Sequence, residues 1–163
     1  MGNIPFVEYG LINKKTKQIM VQIQSGIFNQ VVATCSRNKT LTGSVSYLWS
    51  MTHKLTKQSW KFLPYRVLPV VDYAPSYDLF NINVIDTQPE VFIYSGITDV
   101  NLHLIPGQYF VKIYEQCSDT NLNPMLSYDV VYEGTATVNF SGSPENEIVS
   151  YTGNTDIFKV YNG

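Results

Sequence analysis

The run Gly107-Gln-Tyr-Phe-Val-Lys-Ile-Tyr-Glu-Gln116 constrains the fold more than any other stretch of the chain. Pro106 and Gly107 punctuate its start. Tyr109, Val111, Ile113 and Glu115 then share one face of an extended segment, and Phe110, Lys112 and Tyr114 share the other. Side chains on a strand alternate with period two, and β-branched and aromatic residues fit that pleated surface, so the run predicts a strand. Aromatic residues on both of its faces place it well inside a sheet. No ten-residue stretch repeats its apolar positions at the helical period of 3.6, and the remaining elements are read as β as well.

Residues 1–17 read as an irregular arm containing the polar turn Asn13-Lys-Lys-Thr-Lys17. Ile19, Val21 and Ile23 alternate with glutamines as an edge strand. Ser25-Gly26 breaks it, and residues 27–34 are expected to return as its hairpin partner. After the polar connector Arg37–Gly43, the residues Val45, Tyr47, Trp49 and Met51 alternate with serines and Leu48. A turn over His53–Lys57 leads to Trp60-Lys-Phe62, giving a hairpin that places both tryptophans in the core. Burying each aromatic contributes about 2–3 kcal/mol, which a one-residue slip of register would forfeit.

Pro64, Pro69 and Pro75 argue against a central strand in 64–76, because proline cannot donate to a ladder; the segment is read as a long crossover. Residues 77–85 form a strand with Phe80, Ile82 and Val84 opposite Leu79. Residues 91–94 make a short strand, and Val100, Leu102 and Leu104 mark another. Past the polar loop Ser118–Pro124, residues 128–132 and 135–140 flank Glu133-Gly134. They form either a tight hairpin or, the preferred reading, one strand broken by a bulge at Gly134. A linker over 141–147 precedes Asp156-Ile-Phe-Lys-Val-Tyr161, a terminal strand suited to an exposed sheet edge, its own or a neighbour's.

Seven or so short strands between 44 and 140 predict an all-β core, an immunoglobulin-like β-sandwich of about seven strands, with a small barrel as the alternative. Residues 1–43 form the N-terminal arm and hairpin, 44–140 the sandwich, and 141–163 the C-terminal linker and terminal strand. The Cys-Trp-Cys spacing of antibody domains is not met. Cys35 and Trp49 fit roughly, but Cys117 lies at the end of its strand and is expected to be a small buried hydrophobe. Two cysteines do not make a disulfide framework.

Charge carries the next argument. Charged residues are only 15% of the chain, against about 25% in a typical soluble domain, while tyrosines number twelve and phenylalanines eight. Such a surface is suited to meeting protein. Residues 1–66 hold nine Lys/Arg and one acid, a net +8; residues 67–163 hold two lysines and twelve acids, a net −10. Either the split favours head-to-tail contacts between copies, or the fold mixes the charges in space.

Chemistry is hard to place. His53 and His103 are distant in sequence and each reads as a surface or satisfied histidine, without the short-spaced ligand pairs of a structural zinc site. Asp119-Thr-Asn-Leu-Asn123 opens like a calcium loop, but Pro124 stands where that loop needs glycine and Val130 where it needs a bidentate glutamate. No serine lies in a nucleophile elbow and no carboxylates pair. We therefore expect no catalytic, cofactor-binding or metal residues, no cofactor, and no enzyme. Trp60 among Lys54, Lys57, Lys61 and Arg66 could stack a base, yet is equally well explained as core, and nucleic acid is not an expected partner. The longest apolar run, Val67–Val71, contains a proline and falls far short of the roughly 20 residues that cross a bilayer. No membrane partner is expected, and synthesis in a cytoplasm is.

The segments Met51-Thr-His-Lys-Leu-Thr-Lys-Gln-Ser-Trp-Lys-Phe-Leu-Pro64, Tyr77-Asp-Leu-Phe-Asn-Ile82, Leu104–Pro124 and Val131-Tyr-Glu-Gly134 together resemble small virion proteins of tailed phages infecting Bacteroidetes, the crAss-like group among them. The resemblance spans a little over half the chain, and His53 stands where those proteins carry asparagine. It implies a β-sandwich structural protein of the virion, assembled in the host cytoplasm as a homo-oligomer. Its role would be that of a ring protein of the neck and tail, and its partners copies of itself and the portal, tail or capsid proteins of the same particle. A capsid auxiliary or decoration protein is one alternative, and a carbohydrate- or receptor-binding β-sandwich module the other. The resemblance carries over no binding residues.

Overall fold

The computed structural model describes residues 20–67 and 77–140. Over these the chain is all-β, two sheets facing each other as a sandwich. Its strands are β1 (Val21–Gln24), β2 (Phe28–Ala33), β3 (Ser46–His53), β4 (Ser59–Phe62), β5 (Tyr65–Val67), β6 (Asp78–Asn83), β7 (Gly107–Gln116) and β8 (Asp129–Asn139). The five-stranded sheet runs β1-β8-β7-β3-β4 and the three-stranded sheet β2-β6-β5. The run from Gly107 is thus the middle strand of the larger sheet, antiparallel to both neighbours.

Alternation decides which side chains enter the core. Tyr109, Val111 and Ile113 of β7, Tyr47, Trp49 and Met51 of β3, and Trp60 and Phe62 of β4 all point inward and are buried. The β3–β4 register pairs Trp49 with Phe62 and Met51 with Trp60, so the expected hairpin forms with both tryptophans inside. Phe80, Ile82 and Val84 close the core from the smaller sheet. Phe80 lies edge-on to Trp49 with ring centroids 5.1 Å apart, a favourable aromatic geometry. Near the start of β7, Tyr109 has its ring buried and its hydroxyl donating to the Ile105 carbonyl. Burial pushes that phenol up to about 12, against the opposing pull of the backbone bond.

Four expectations need correction. β1 and residues 27–34 do not pair as a hairpin: β1 lies parallel to β8 in the larger sheet, and β2 pairs with β6 in the smaller one. Gly26 makes the crossing possible, adopting φ 81 where a side chain would be strained, and its N–H donates to Val84. Second, the proline-rich crossover contains the short strand β5, which is an edge strand of its sheet among the described residues, where prolines nearby cost no ladder bonds.

Third, residues 91–94 and 100–104 do not form strands of their own. They take part only in isolated bridges, Val91 with Asn101, Asn83 with Asn101 and Leu63 with Ile93, although Val100, Leu102 and Leu104 are buried as their alternation requires. Fourth, β8 is one continuous strand, but its irregularity is not at Gly134. Ile113 faces Tyr132 and Tyr114 faces Val130, which leaves Val131 as the extra residue. Val131 and Tyr132 both turn inward as a result, whereas Gly134 pairs regularly with Val111. The arm over 1–17 and the terminal strand over 156–161 lie outside the described residues.

Candidate contact surface

One end of the sandwich is built from three polar latches. The connector between β2 and β3 crosses from the smaller sheet to the larger there, and a buried carboxylate from each sheet pins it. From the smaller sheet, Asp78 accepts the backbone N–H of Cys35 at 3.0 Å and of Ser36 at 2.7 Å, together with the Ser36 hydroxyl. Arg66 closes this latch with Nη2 2.7 Å from Asp78 Oδ1. From the larger sheet, Glu115 accepts Thr40 N–H at 3.0 Å, Leu41 N–H at 3.1 Å and the Thr40 hydroxyl. Burial pushes the Glu115 carboxyl up, but the Thr40 hydroxyl, the two backbone N–H groups and the Lys39 charge outweigh it and hold the group below its ordinary range.

The third latch is Gln116, and it shapes the loop that follows. Its Nε2 donates to the carbonyls of Ser118 (2.8 Å) and Asn121 (2.9 Å), and its Oε1 accepts from Asn121 (2.8 Å) and Ser127 (3.0 Å). Two donors and two acceptor sites are all an amide has, so this buried side chain is fully satisfied. Asn123 then caps the 3-10 turn Pro124–Leu126, its Oδ1 accepting Met125 N–H at 3.1 Å. Tyr128 N–H returns to the Glu115 carbonyl at 2.9 Å.

The consequence is an inverted loop. The side chains of Gln116, Ser118, Asn121, Asn123 and Ser127 bond within it, while Met125, Leu126 and Tyr128 are 87%, 73% and 68% exposed. Leu126 and Tyr128 also border an open groove that includes Leu41 and Cys117. Cys117 is exposed, contrary to expectation, because the strand alternation ends at the buried Gln116 and the chain turns out into this loop. Cys35 is the buried thiol, pushed well above its ordinary range by burial and by the Asp78 charge, with Arg66 opposing.

The outer face of the larger sheet has a different character. Phe110 is half exposed there, directly across from Thr52 and Thr135. Next along the strand, Lys112 pairs with Glu133 at 2.7 Å. Beyond that ion pair Leu48 is fully buried on the side away from the core cluster, while Val130, across from Tyr114, stays exposed.

Among the described residues, strands from the basic and acidic halves interleave in both sheets, and Arg66–Asp78 joins one half to the other, so the described charges do not separate into two lobes. Trp60 is buried against Tyr109 and unavailable for stacking a base. His53 is buried in the β3–β4 turn, where its Nδ1 accepts Thr56 N–H at 3.1 Å, and its ring lies edge-on to Tyr109. His103 Nε2 lies 2.7 Å from the Gln88 carbonyl. Among the described residues no group of three or more His, Cys, Asp or Glu could hold a metal ion. The sequence placed Glu115 on the core face without a partner, and gave no sign that Gln116 would organise a loop. Two of its signals were legible in retrospect: the clustered Ser, Thr and Asn of 118–123, and the apolar residues that interrupt them.

No protein-family model, curated protein or solved structure matches the chain.

Proposed function

We propose that the chain is a non-enzymatic structural subunit of a tailed phage virion, a ring component of the neck or tail that works by protein–protein contact in multiple copies. The observation that carries this reading is the inverted loop. A hydrogen-bonded frame holds Met125, Leu126 and Tyr128 out into solvent, so little backbone conformational entropy remains to be lost when a partner covers them. Exposed apolar groups on a rigid support are the chemistry of a docking element. The resemblance of residues 51–134 to small virion proteins supplies the particle.

The finer description of the sandwich as immunoglobulin-like belongs to the same proposal. An order of β8-β7-β3-β4 against β2-β6-β5 corresponds to the G-F-C-C′ and B-E-D arrangement of variable-type domains, with β1 added beside the last strand. Trp49 occupies the third of these strands, where such domains bury a tryptophan. The bond from Tyr109 to the Ile105 carbonyl, at the entry to β7, has the form of a tyrosine corner. Val111 stands two residues on, where an antibody domain has its second cysteine.

The test is location. Particles purified from cells infected with phage carrying an epitope-tagged copy should contain the tagged chain, and gold label should gather at the neck or tail. Label distributed over the head would point to a capsid auxiliary protein, and particles lacking the chain would overturn the proposal.

A further inference from the structure

We propose that the apolar loop at Met125 docks on the β3–β4 turn of a second copy, Lys54-Leu55-Thr56-Lys57, so that copies join head to tail. The inference rests on the reading that the chain works by contact through that loop, and it names the surface that receives it. The β3–β7 register sets loop and turn at opposite ends of the larger sheet. Ser46 faces Gln116 at the loop end, and His53 faces Tyr109 at the turn end, seven residues or about 23 Å further on. A copy's own loop therefore cannot reach its own turn.

The turn repeats the design of the loop. His53 and Gln58 close it backbone to backbone at 2.9 Å, Lys57 N–H donates to the His53 carbonyl at 3.0 Å, and Thr56 N–H donates to His53 Nδ1 at 3.1 Å. Lys57 completes it at φ 61, a left-handed conformation that residues with a side chain seldom adopt. This frame holds Leu55 86% exposed. Ile105, just before β7, and Phe140, just after β8, are exposed at the same end, since Val138 faces Gly107.

Charge selects the partner. At the loop end Asp119 and Asp129 flank the apolar residues, and the connector between the sheets carries Arg37 and Lys39. At the turn end Lys54 and Lys57 flank Leu55, and the segment that leaves β6 carries Asp86 and Glu90. That segment belongs to the turn end because Val84 bonds Gly26, next to Ser25, which bonds Asn139 at the end of β8. Among the described residues none of these charges is in an ion pair. One copy set on the next in the same orientation brings the loop's acids to the turn's lysines, and the connector's cations to the acids beyond β6. A two-fold pairing of loop with loop would set carboxylates against carboxylates. Exposed pairs of this kind hold little by themselves; they choose the end and its orientation, and the apolar contact supplies the hold. Two unlike ends make a heterologous contact, which repeats from copy to copy and closes into a ring where the rotation allows.

The experiment is the solution mass of the full-length wild type, Leu55→Asp, Leu126→Asp, and an equimolar mixture of the two variants. Both substitutions fall on exposed side chains, and an amide NMR spectrum checks that each variant is folded. The expected result is that each variant alone is monomeric. The mixture should form a species of two chains and no larger, because the intact loop of Leu55→Asp can dock on the intact turn of Leu126→Asp and nothing can dock further. Lys57→Glu should weaken wild-type assembly about two- to fivefold at low salt and have no effect at high salt. If Leu55→Asp assembles like the wild type while Leu126→Asp does not, the loop contact stands and the turn as its receptor is overturned. A mixture of folded variants that stays monomeric overturns it as well. A wild-type chain that is monomeric at every concentration overturns the contact reading itself.

Discussion

Glu115→Gln is the sharpest probe of how the two sheets are tied together. In the wild type a buried carboxylate accepts from Thr40 N–H, Leu41 N–H and the Thr40 hydroxyl. Glutamine keeps the shape but offers one accepting oxygen, and its amide N–H₂ must face a donor that the carboxylate had satisfied. One charge-assisted hydrogen bond is lost and a partly buried N–H is left without an acceptor. Because glutamine also avoids the cost of burying a charge, the net loss should be about 2–3 kcal/mol, within the usual range for such bonds.

The pH dependence follows from the depressed carboxyl. A group whose pKa falls on folding stabilises the native state fully above its unfolded value, near 4.3 for glutamate, and loses that contribution as pH drops through the folded value. Urea unfolding of both proteins should therefore show a constant gap from about pH 7 to about pH 5 that narrows on further acidification. A gap below about 0.5 kcal/mol at neutral pH, or one that does not narrow in acid, would refute the assignment of Glu115 as a charged latch.

Three further outcomes are expected. Trp49→Ala and Trp60→Ala should each cost about 3–5 kcal/mol in urea unfolding, with a loss under 1 kcal/mol at either site contradicting its place in the core. Gly107→Ala should destabilise by at least about 1–3 kcal/mol, since Gly107 has φ 143 and an added Cβ would lie 2.5 Å from His53 Nε2; wild-type stability in that variant would mean the turn is not packed as described. A thiol reagent at neutral pH should modify Cys117 alone in the folded protein, and Cys35 only on unfolding; equal rates would contradict the burial of Cys35 and its raised thiol.

The fold was legible wherever burial imposes period two. β3, β4, β6 and β7 each turn one alternate set of apolar residues to the core, and most of those core residues could be read directly from alternation. Pairing was less legible. The strand at Val21 looks the same whether its neighbour is β2 or β8, because alternation specifies a face and not a partner. The bulge was expected at the glycine, where backbone freedom is greatest. It lies instead at Val131, where an extra apolar residue can be buried beside Tyr132. The latches of the candidate site depend on contacts between positions as distant as Thr40 and Glu115, and no local pattern encodes such pairs. The exposed loop was hidden for a different reason. Met125 and Leu126 are residues that usually mark a core, and only the structure shows a polar frame holding them outside it.

The central claim is that this chain functions by contact through the rigid apolar loop, and the most direct test is its mass in solution beside that of Leu126→Asp. The wild-type protein should form a discrete multi-copy species that persists in high salt, since its charges are interleaved and the contact is apolar. The variant, altered at a side chain 73% exposed, should remain folded and become monomeric. A wild-type chain that stays monomeric at every concentration, or an oligomer that Leu126→Asp leaves unchanged, would contradict the account.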